Sequence, residues 1–271
     1  MFDPAACTAI ITGASSGLGA EFARQLAPLA STLLLAARSL ENLEAVAREL
    51  RQANPKVTIL TCPCDVSTPD GRASLIDAIE AGGLKPNLLI NNAGIGDYGP
   101  VETADAGRMT QLIDLNVTGL LLLSHAMIPR LARSQERPAG ILNVSSLAST
   151  LPLPGMALYG ASKAFVSSLS EAMAVELAPK NIVVTCVCPG PTPTRFSATA
   201  KRPTGEDADR EGQGFLRIPP SQVVREALGA LRAGKACVFP GRAVRFCATL
   251  FRLLPRPLMR RILRRRYAKS S

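Results

Sequence analysis

The sequence predicts an α/β fold, a doubly wound parallel sheet of about seven strands with helices on both faces. Three observations carry this. Short apolar runs alternate with longer amphipathic stretches; the runs are apolar without interruption, as in Leu33-Leu34-Leu35; and the first of them enters a glycine-rich turn that opens a helix. Parallel strands need crossover connections, and crossover helices cover both faces of the sheet, so such strands show no polar alternation.

In chain order, strands are expected at residues 8–12, 32–37, 57–61, 87–91, 140–145, 182–187 and 236–239. Helical patterns fill the gaps. Residues 20–29 follow the glycine turn, and in 41–51 Leu43, Val46, Ala47 and Leu50 recur at helical spacing while Glu41, Glu44, Arg48 and Glu49 face water. Residues 120–131 read as a buried helix, which makes His125, the sole histidine, a structural residue. Residues 156–178 are strongly helical, 191–220 read as a mobile loop rich in Pro, Gly and charge, and 221–233 return to helical spacing before Gly234. One domain is expected over 1–241, with 242–271 as an extension.

At 271 residues, 47% apolar and 4% aromatic with no Trp, the chain can bury a sizeable core and is unlike a disordered segment. The net charge of +10 is uneven: residues 242–271 hold nine Arg and one Lys with no acid, leaving 21 bases against 21 acids in the body. Residues 1–4 lack a basic leader, 9–11 are too short for a signal core, and no apolar run approaches the ~18 to 20 residues that span a bilayer. A cytoplasmic protein is expected. Seven cysteines, an odd number, do not form a disulfide framework. Cys62/Cys64 and Cys186/Cys188 each share one strand face, a spacing unlike that of zinc ligands, and no metal is expected.

The first strand runs into Thr12-Gly13-Ala14-Ser15-Ser16-Gly17-Leu18-Gly19. Glycines let a backbone turn sharply and approach a pyrophosphate, while the free N–H groups at a helix start favour the anion. Gly13-x-Ser15-x-Gly17 also matches a hydrolase nucleophile elbow. That reading fails on position, because only seven residues precede the strand and His125 lies upstream of where a triad base belongs.

Further on come Asn91-Asn92-Ala93-Gly94, Asn116, Ser146, Tyr159-Gly160-Ala161-Ser162-Lys163, and Pro189-Gly190 with Thr192 and Thr194. Together with the glycine turn these resemble the short-chain dehydrogenase/reductase family over residues 6–240, which implies a Rossmann sheet. Tyr159 and Lys163, four apart on one helix face, can form a proton donor tuned by an ammonium, and Ser146 can hydrogen-bond the same substrate oxygen. The resemblance implies Tyr159 as general acid/base, Ser146 as substrate orienter, Lys163 as tuner and ribose ligand, and Asn116 as holder of a relay water. Family spacing selects Ser146 over Ser145.

The resemblance also places Gly13, Ser15, Ser16, Gly17, Leu18 and Gly19 around a pyrophosphate, Asp65 and Val66 at an adenine, and Asn91, Asn92, Ala93 and Gly94 along a ribose. Pro189, Gly190 and Thr192 are implied as further cofactor contacts, as are Tyr159 and Lys163, and Thr194 falls at the nicotinamide amide. The second strand ends in Ala36-Ala37-Arg38-Ser39 with no acid for a ribose hydroxyl. Arg38 and Ser39 suit a 2'-phosphate, so NADP(H) is expected over NAD(H). The family's strand order also sets the two cysteine pairs far apart.

Leu151, Leu153, Pro154, Met156 and Leu158 predict apolar substrate walls and hence a hydrophobic ketone, aldehyde, 3-oxoacyl or steroid-like substrate. A nucleotide-binding sensor or scaffold without turnover is the alternative. Arg195, Phe196, Lys201 and Arg202 could meet an anionic head group, though a solvated loop face explains most of them. In the extension, Leu258, Met259, Ile262 and Leu263 form one arc of a helix over 258–267, opposite Arg260, Arg261, Arg264 and Arg265, after an apolar stretch broken by Pro255 and Pro257. An anionic membrane surface and packing on the body or a partner subunit remain open as its role, and nucleic acid ranks below both. The resemblance implies a homodimer through the helices carrying Asn116 and Tyr159.

Overall fold

In a computed structural model that describes residues 1–194, 196–202 and 214–267, seven parallel strands form one sheet in the order β3-β2-β1-β4-β5-β6-β7. They are β1 (Thr8–Thr12), β2 (Thr32–Ala37), β3 (Thr58–Pro63), β4 (Leu88–Asn91), β5 (Ala139–Val144), β6 (Ile182–Val187) and β7 (Cys237–Val238). Helices α1 (Gly17–Leu26), α2 (Leu40–Ala53), α3 (Pro69–Ala81), α4 (Ala106–Ile113), α5 (Leu120–Met127) and α6 (Ala157–Leu177) make the crossovers as far as β6. They are followed by α7 (Phe196–Ala200), by α8 (Pro220–Arg232), which makes the crossover from β6 to β7, and by α9 (Arg242–Leu253) and α10 (Arg256–Tyr267). The sequence stops the third strand at Thr61, whereas β3 reaches Pro63; it is an edge strand, where the missing N–H of proline breaks no ladder.

Alternate residues of each strand feed opposite cores, as the two-residue period requires. Ala9, Ile11, Leu33, Leu35, Leu88 and Ile90 pack on α1, α2 and α8. On the other face Ile10, Leu34, Leu89, Ile141 and Val184 meet α3, α5 and α6. A buried polar ladder crosses the middle of this layer: Asn91 Nδ2 donates to Ser124 Oγ and Asn143 Oδ1, both at 2.8 Å, and Asn143 Nδ2 donates to Ser170 Oγ at 2.9 Å. Asn91 therefore faces the core and not a ribose.

From Ala106 to Arg130 the helix is continuous, and by length and composition alone it could cross a membrane. Its Leu112, Leu115, Leu123 and Met127 are instead buried in the body. The sequence missed this length because Asp114, Asn116 and His125 interrupt the apolar run. His125 corrects a second expectation, since it lies on the exposed side of α5.

Of the expected 191–220 loop, residue 195 and residues 203–213 lie outside the described residues. The described part includes α7 and a turn at Gly214–Leu216. In the extension, α9 buries Val244 and Ala248 in the same core as α1 and α8. Pro255 separates the two helices, but Pro257, expected to be a breaker, sits in the first turn of α10, where a missing N–H costs nothing.

Candidate active site

The turn between β1 and α1 is shaped for close approach of an anion. Gly13 and Gly17 hold φ of +65° and +55°, a region that side chains disfavour, and a Cβ on Gly19 would collide with the Gly13 carbonyl. Ser16 precedes α1 without capping it, so the first N–H groups of the helix keep their donors for a ligand. Ser15, Ser16 and Leu18 line this half-exposed turn. Thr12 braces it: its hydroxyl accepts from the Asn92 and Ala93 amides at 3.0 and 3.1 Å, while Asn92 Nδ2 donates to the Thr12 and Gly13 carbonyls at 3.0 and 3.2 Å. Asn92 thus acts by tying two loops together.

The other proposed cofactor contacts gather along the same edge. Arg38 is exposed just beyond β2, and Ser39 caps α2 by accepting from the Asn42 amide at 3.3 Å. Asp65 Oδ1 accepts from the Ser67 amide and hydroxyl at 3.0 and 2.7 Å, and Val66 beside it is buried. The Pro189 carbonyl accepts from the Leu147 amide at 2.9 Å, and Thr192 Oγ1 donates to the Gly190 carbonyl at 3.0 Å. Thr194 stands across from Gly17, with its Cβ 3.4 Å from where a Cβ on that glycine would lie. An uncapped helix start, a cradle open only to glycine and a threonine loop closing over it fit a dinucleotide.

At the carboxyl end of β5 the chain turns so that Ser145 and Ser146 part. Ser145 Oγ, buried, donates to the Lys163 carbonyl at 2.7 Å and lies 2.8 Å from Ser167 Oγ. Ser146 Oγ accepts from the Ala148 amide at 3.1 Å, capping the turn that follows, and it lies close enough to the Tyr159 phenol to ease loss of its proton. Lys163 Nζ donates to the Val144 carbonyl at 3.0 Å and lies 5.8 Å from the centre of the Tyr159 ring. Asn116 sits in a widened π turn, Asp114–Gly119, a distortion common at functional positions. Its side chain clasps the Ile95 amide and carbonyl, each at 2.9 Å, and donates to Ser162 Oγ at 3.1 Å. A Cβ on Gly94 would stand 3.1 Å from Asn116 Oδ1 and 3.3 Å from Lys163 Nζ, so these three residues share one small space.

Burial governs the charges. It pushes the Tyr159 phenol up to about 12, with the Ser146 hydrogen bond pulling partly back, and pushes Lys163 down to about 8 against the neighbouring Cys186 and Cys188. Desolvation is the largest cause at Tyr159, and it keeps the phenol above its ordinary value, suited to handing a proton to an oxygen that gains negative charge.

The model of the family described as short chain dehydrogenase matches residues 7–204. The chain belongs to the short-chain dehydrogenase family. It is an oxidoreductase that uses a nicotinamide dinucleotide. Sulfoacetaldehyde reductase 2 of Chromohalobacter salexigens is 35% identical over 200 residues, covering 73% of this chain and 77% of that protein. A very-long-chain 3-oxoacyl-CoA reductase of Anas platyrhynchos is 32% identical over 230 residues, covering 82% and 68%. Among solved structures, a short-chain dehydrogenase from Sphingobium yanoikuyae in complex with NADPH is 31% identical with a TM-score of 0.75, covering 90% of this chain and 92% of that one.

Around the tyrosine of this short-chain dehydrogenase, Met156, Leu153 and Leu158 pack in one apolar cluster, and Leu151 and Pro154, which the sequence placed with them, are outside it. The same cluster holds Ile95, Tyr98, Leu112 and Phe196, whose ring centre is 5.4 Å from that of Tyr159. The first three come from the loop after β4 and from α4, and no local pattern marks them. Arg202 is not a solvated loop cation: its side chain is 8% exposed and grips the buried Asp97 carboxylate at 2.6 Å, with Arg108 at 2.8 Å on the other oxygen. Arg195 lies outside the described residues. The cysteine pairs do lie on separate strands, but Cys237 on β7 joins Cys186 and Cys188, with all three sulfurs within 4.8 Å of one another. Pairing by sequence spacing missed that cross-strand neighbour.

Proposed function

We propose that this short-chain dehydrogenase reduces the carbonyl of a hydrophobic substrate with NADPH. The observation that carries the reading is the Tyr159 phenol, set beside Ser146 and Lys163 within an apolar cluster of Leu112, Met156, Leu153, Leu158 and Phe196. When bound, the nicotinamide supplies a hydride. Ser146 and Tyr159 then hold the carbonyl oxygen, and the phenol proton passes to it as charge develops. Lys163, buried between Val144 and the tyrosine, supplies positive potential on that side.

Preference for the phosphorylated cofactor is supported by Arg38 at the end of β2, which pairs with no acid among the described residues, and by the lack of an acid at that strand end. The apolar wall favours a ketone, aldehyde or 3-oxoacyl chain, in keeping with the name of the very-long-chain 3-oxoacyl-CoA reductase relative. A dimer is supported by apolar side chains left exposed on α5 and α6, Leu121, Leu122 and Phe165.

The test is NADPH consumption over a panel of apolar ketones, aldehydes and 3-oxoacyl thioesters, with Tyr159→Phe beside the unmodified enzyme. Turnover lost in the variant with NADPH binding retained is the expected result. Full turnover in Tyr159→Phe overturns the assignment.

A further inference from the structure

A helix that packs one face on a protein body in water should turn a polar face outward. Helix α9 does not. Val244, Ala248 and Phe251, at i, i+4 and i+7, form its inner stripe, the first two buried and the third packed on the core. Phe246, Leu250 and Leu253 repeat the same spacing on the opposite side and are 69%, 46% and 77% exposed. The pattern continues in α10, where Met259 is buried while Leu258 and Ile262 remain 46% and 43% exposed.

The charges beside this face are unbalanced. Residues 242–271 contain no acid. Arg245 and Arg252 reach Glu226 and Glu171 of the body at 3.5 and 3.2 Å, and Arg252 also lies 5.0 Å from the centre of the Phe239 ring, which pins α9 in place. Arg242, Arg256, Arg260, Arg261, Arg264 and Arg265 are exposed and pair with no acid among the described residues. Apolar side chains flanked by unpaired cations complement a surface that is apolar inside and anionic at its rim. A nucleic acid would satisfy the arginines and leave Phe246, Leu250 and Leu253 in water.

We propose that α9 and α10 seat the enzyme on an anionic membrane, with Phe246, Leu250 and Leu253 in the headgroup boundary and the unpaired arginines among lipid phosphates. The anchor is continuous with the active site. Val244 of α9 lies against Gly190 so closely that a Cβ there would stand 2.7 Å from it, and α9 also packs on the Leu147–Thr150 turn that follows Ser146. Phe215, 67% exposed in the adjoining Gly214–Leu216 turn, adds to the apolar surface beside this helix. The proposal concerns only the tail and holds whatever carbonyl the site reduces.

Sedimentation of the full chain with vesicles tests it, using phosphatidylglycerol mixed with phosphatidylcholine in one arm and phosphatidylcholine alone in the other. Binding to the anionic vesicles should be at least tenfold tighter and should weaken by a similar factor in high salt. The triple variant Phe246→Ser, Leu250→Ser, Leu253→Ser should lose tenfold or more of that binding while keeping its affinity for NADPH, which shows that the body is folded. Replacing Arg260, Arg261, Arg264 and Arg265 by Gln in a second variant should abolish the preference for anionic lipid. Absence of vesicle binding by the unmodified chain overturns the proposal. So does a triple variant that changes its subunit number in light scattering without changing its vesicle binding, because the face would then pair with a second copy.

Discussion

Lys163 Nζ donates to the Val144 carbonyl at 3.0 Å, so the β5 backbone holds the ammonium behind Tyr159. The lysine lies lower than usual, at about 8, and the phenol higher, at about 12. The cation beside the proton donor is therefore present below about pH 8 and lost above it, whereas the phenol proton persists through that range. Carbonyl reduction should be flat through neutral pH and fall as pH passes about 8. A pH profile of kcat/KM checks this; a rise across the same interval would contradict it. Because the depressed value marks a buried charge that costs stability below about pH 8, on the order of 3 kcal/mol, Lys163→Met should slow reduction by roughly a hundredfold or more without lowering Tm at pH 7.

Ser145 and Ser146 are neighbours with opposite tasks, and the difference is measurable. Ser145→Ala strips a buried hydrogen bond from the Lys163 carbonyl and leaves Ser167 short of a partner, so it should cost about 1 to 3 kcal/mol in stability. Ser146→Ala removes only the cap on the Ala148 amide, so it should cost about 0.5 to 2 kcal/mol in stability and reduce kcat by on the order of a hundredfold. Steady-state kinetics at matched fractions of folded protein separate the roles, and an equal loss of kcat in the two variants would refute the division.

The strands were legible because both faces of a parallel sheet are buried, so each strand announces itself as an uninterrupted apolar run, as in Leu33-Leu34-Leu35. Tyr159, Lys163 and the glycine turn were legible because their partners lie a few residues away on one helix or loop. What stayed hidden depends on contacts between distant segments. Asp97 and Arg202 look like ordinary loop charges until α7 folds over the β4 loop. Cys237 meets Cys186 only through the pairing of β6 with β7. His125 was misplaced because Leu120 to Leu123 imply burial all round, whereas only the side of α5 facing the sheet is covered.

Arg38 offers a direct test of cofactor choice. Arg38→Ala should weaken NADPH by roughly 10- to 100-fold, the size of a hydrogen bond to a charged group, and leave NADH nearly unchanged. Fluorescence titration with both cofactors provides the comparison. Equal weakening of the two would locate Arg38 away from the 2'-phosphate.

Asp97 links both sides of the substrate wall through Arg108 and Arg202, while the Tyr98 amide donates to the Ala200 carbonyl at 3.0 Å. Burial pushes the Asp97 carboxyl up, but its hydrogen bonds and charge pairing with the two arginines outweigh that and hold it below the ordinary value. A lowered carboxylate contributes stability above its unfolded pKa and loses it as pH falls through the folded one. Asp97→Asn should therefore lower Tm at pH 7 and make the acid limb of the stability curve shallower. Its effect on reduction should fall on KM more than kcat, because it frees α7, which carries Phe196 over Tyr159. A kcat loss with unchanged KM would show that α7 does not gate the site.

Leu121, Leu122 and Phe165 are 37%, 43% and 37% exposed on the two helices that flank the catalytic residues. Burying the part of these side chains still exposed contributes about 1 kcal/mol each, which makes them the apolar centre of a symmetric interface that must also draw on the surface around them. Leu122→Asp together with Phe165→Asp places carboxylates at that interface and should convert a dimer to a monomer in light scattering at micromolar concentration. Neither residue touches Tyr159, Ser146 or the glycine turn among the described contacts, so NADPH affinity should survive. An unmodified chain that is already monomeric, or a double variant that stays dimeric, would assign the exposed α5 and α6 side chains another role.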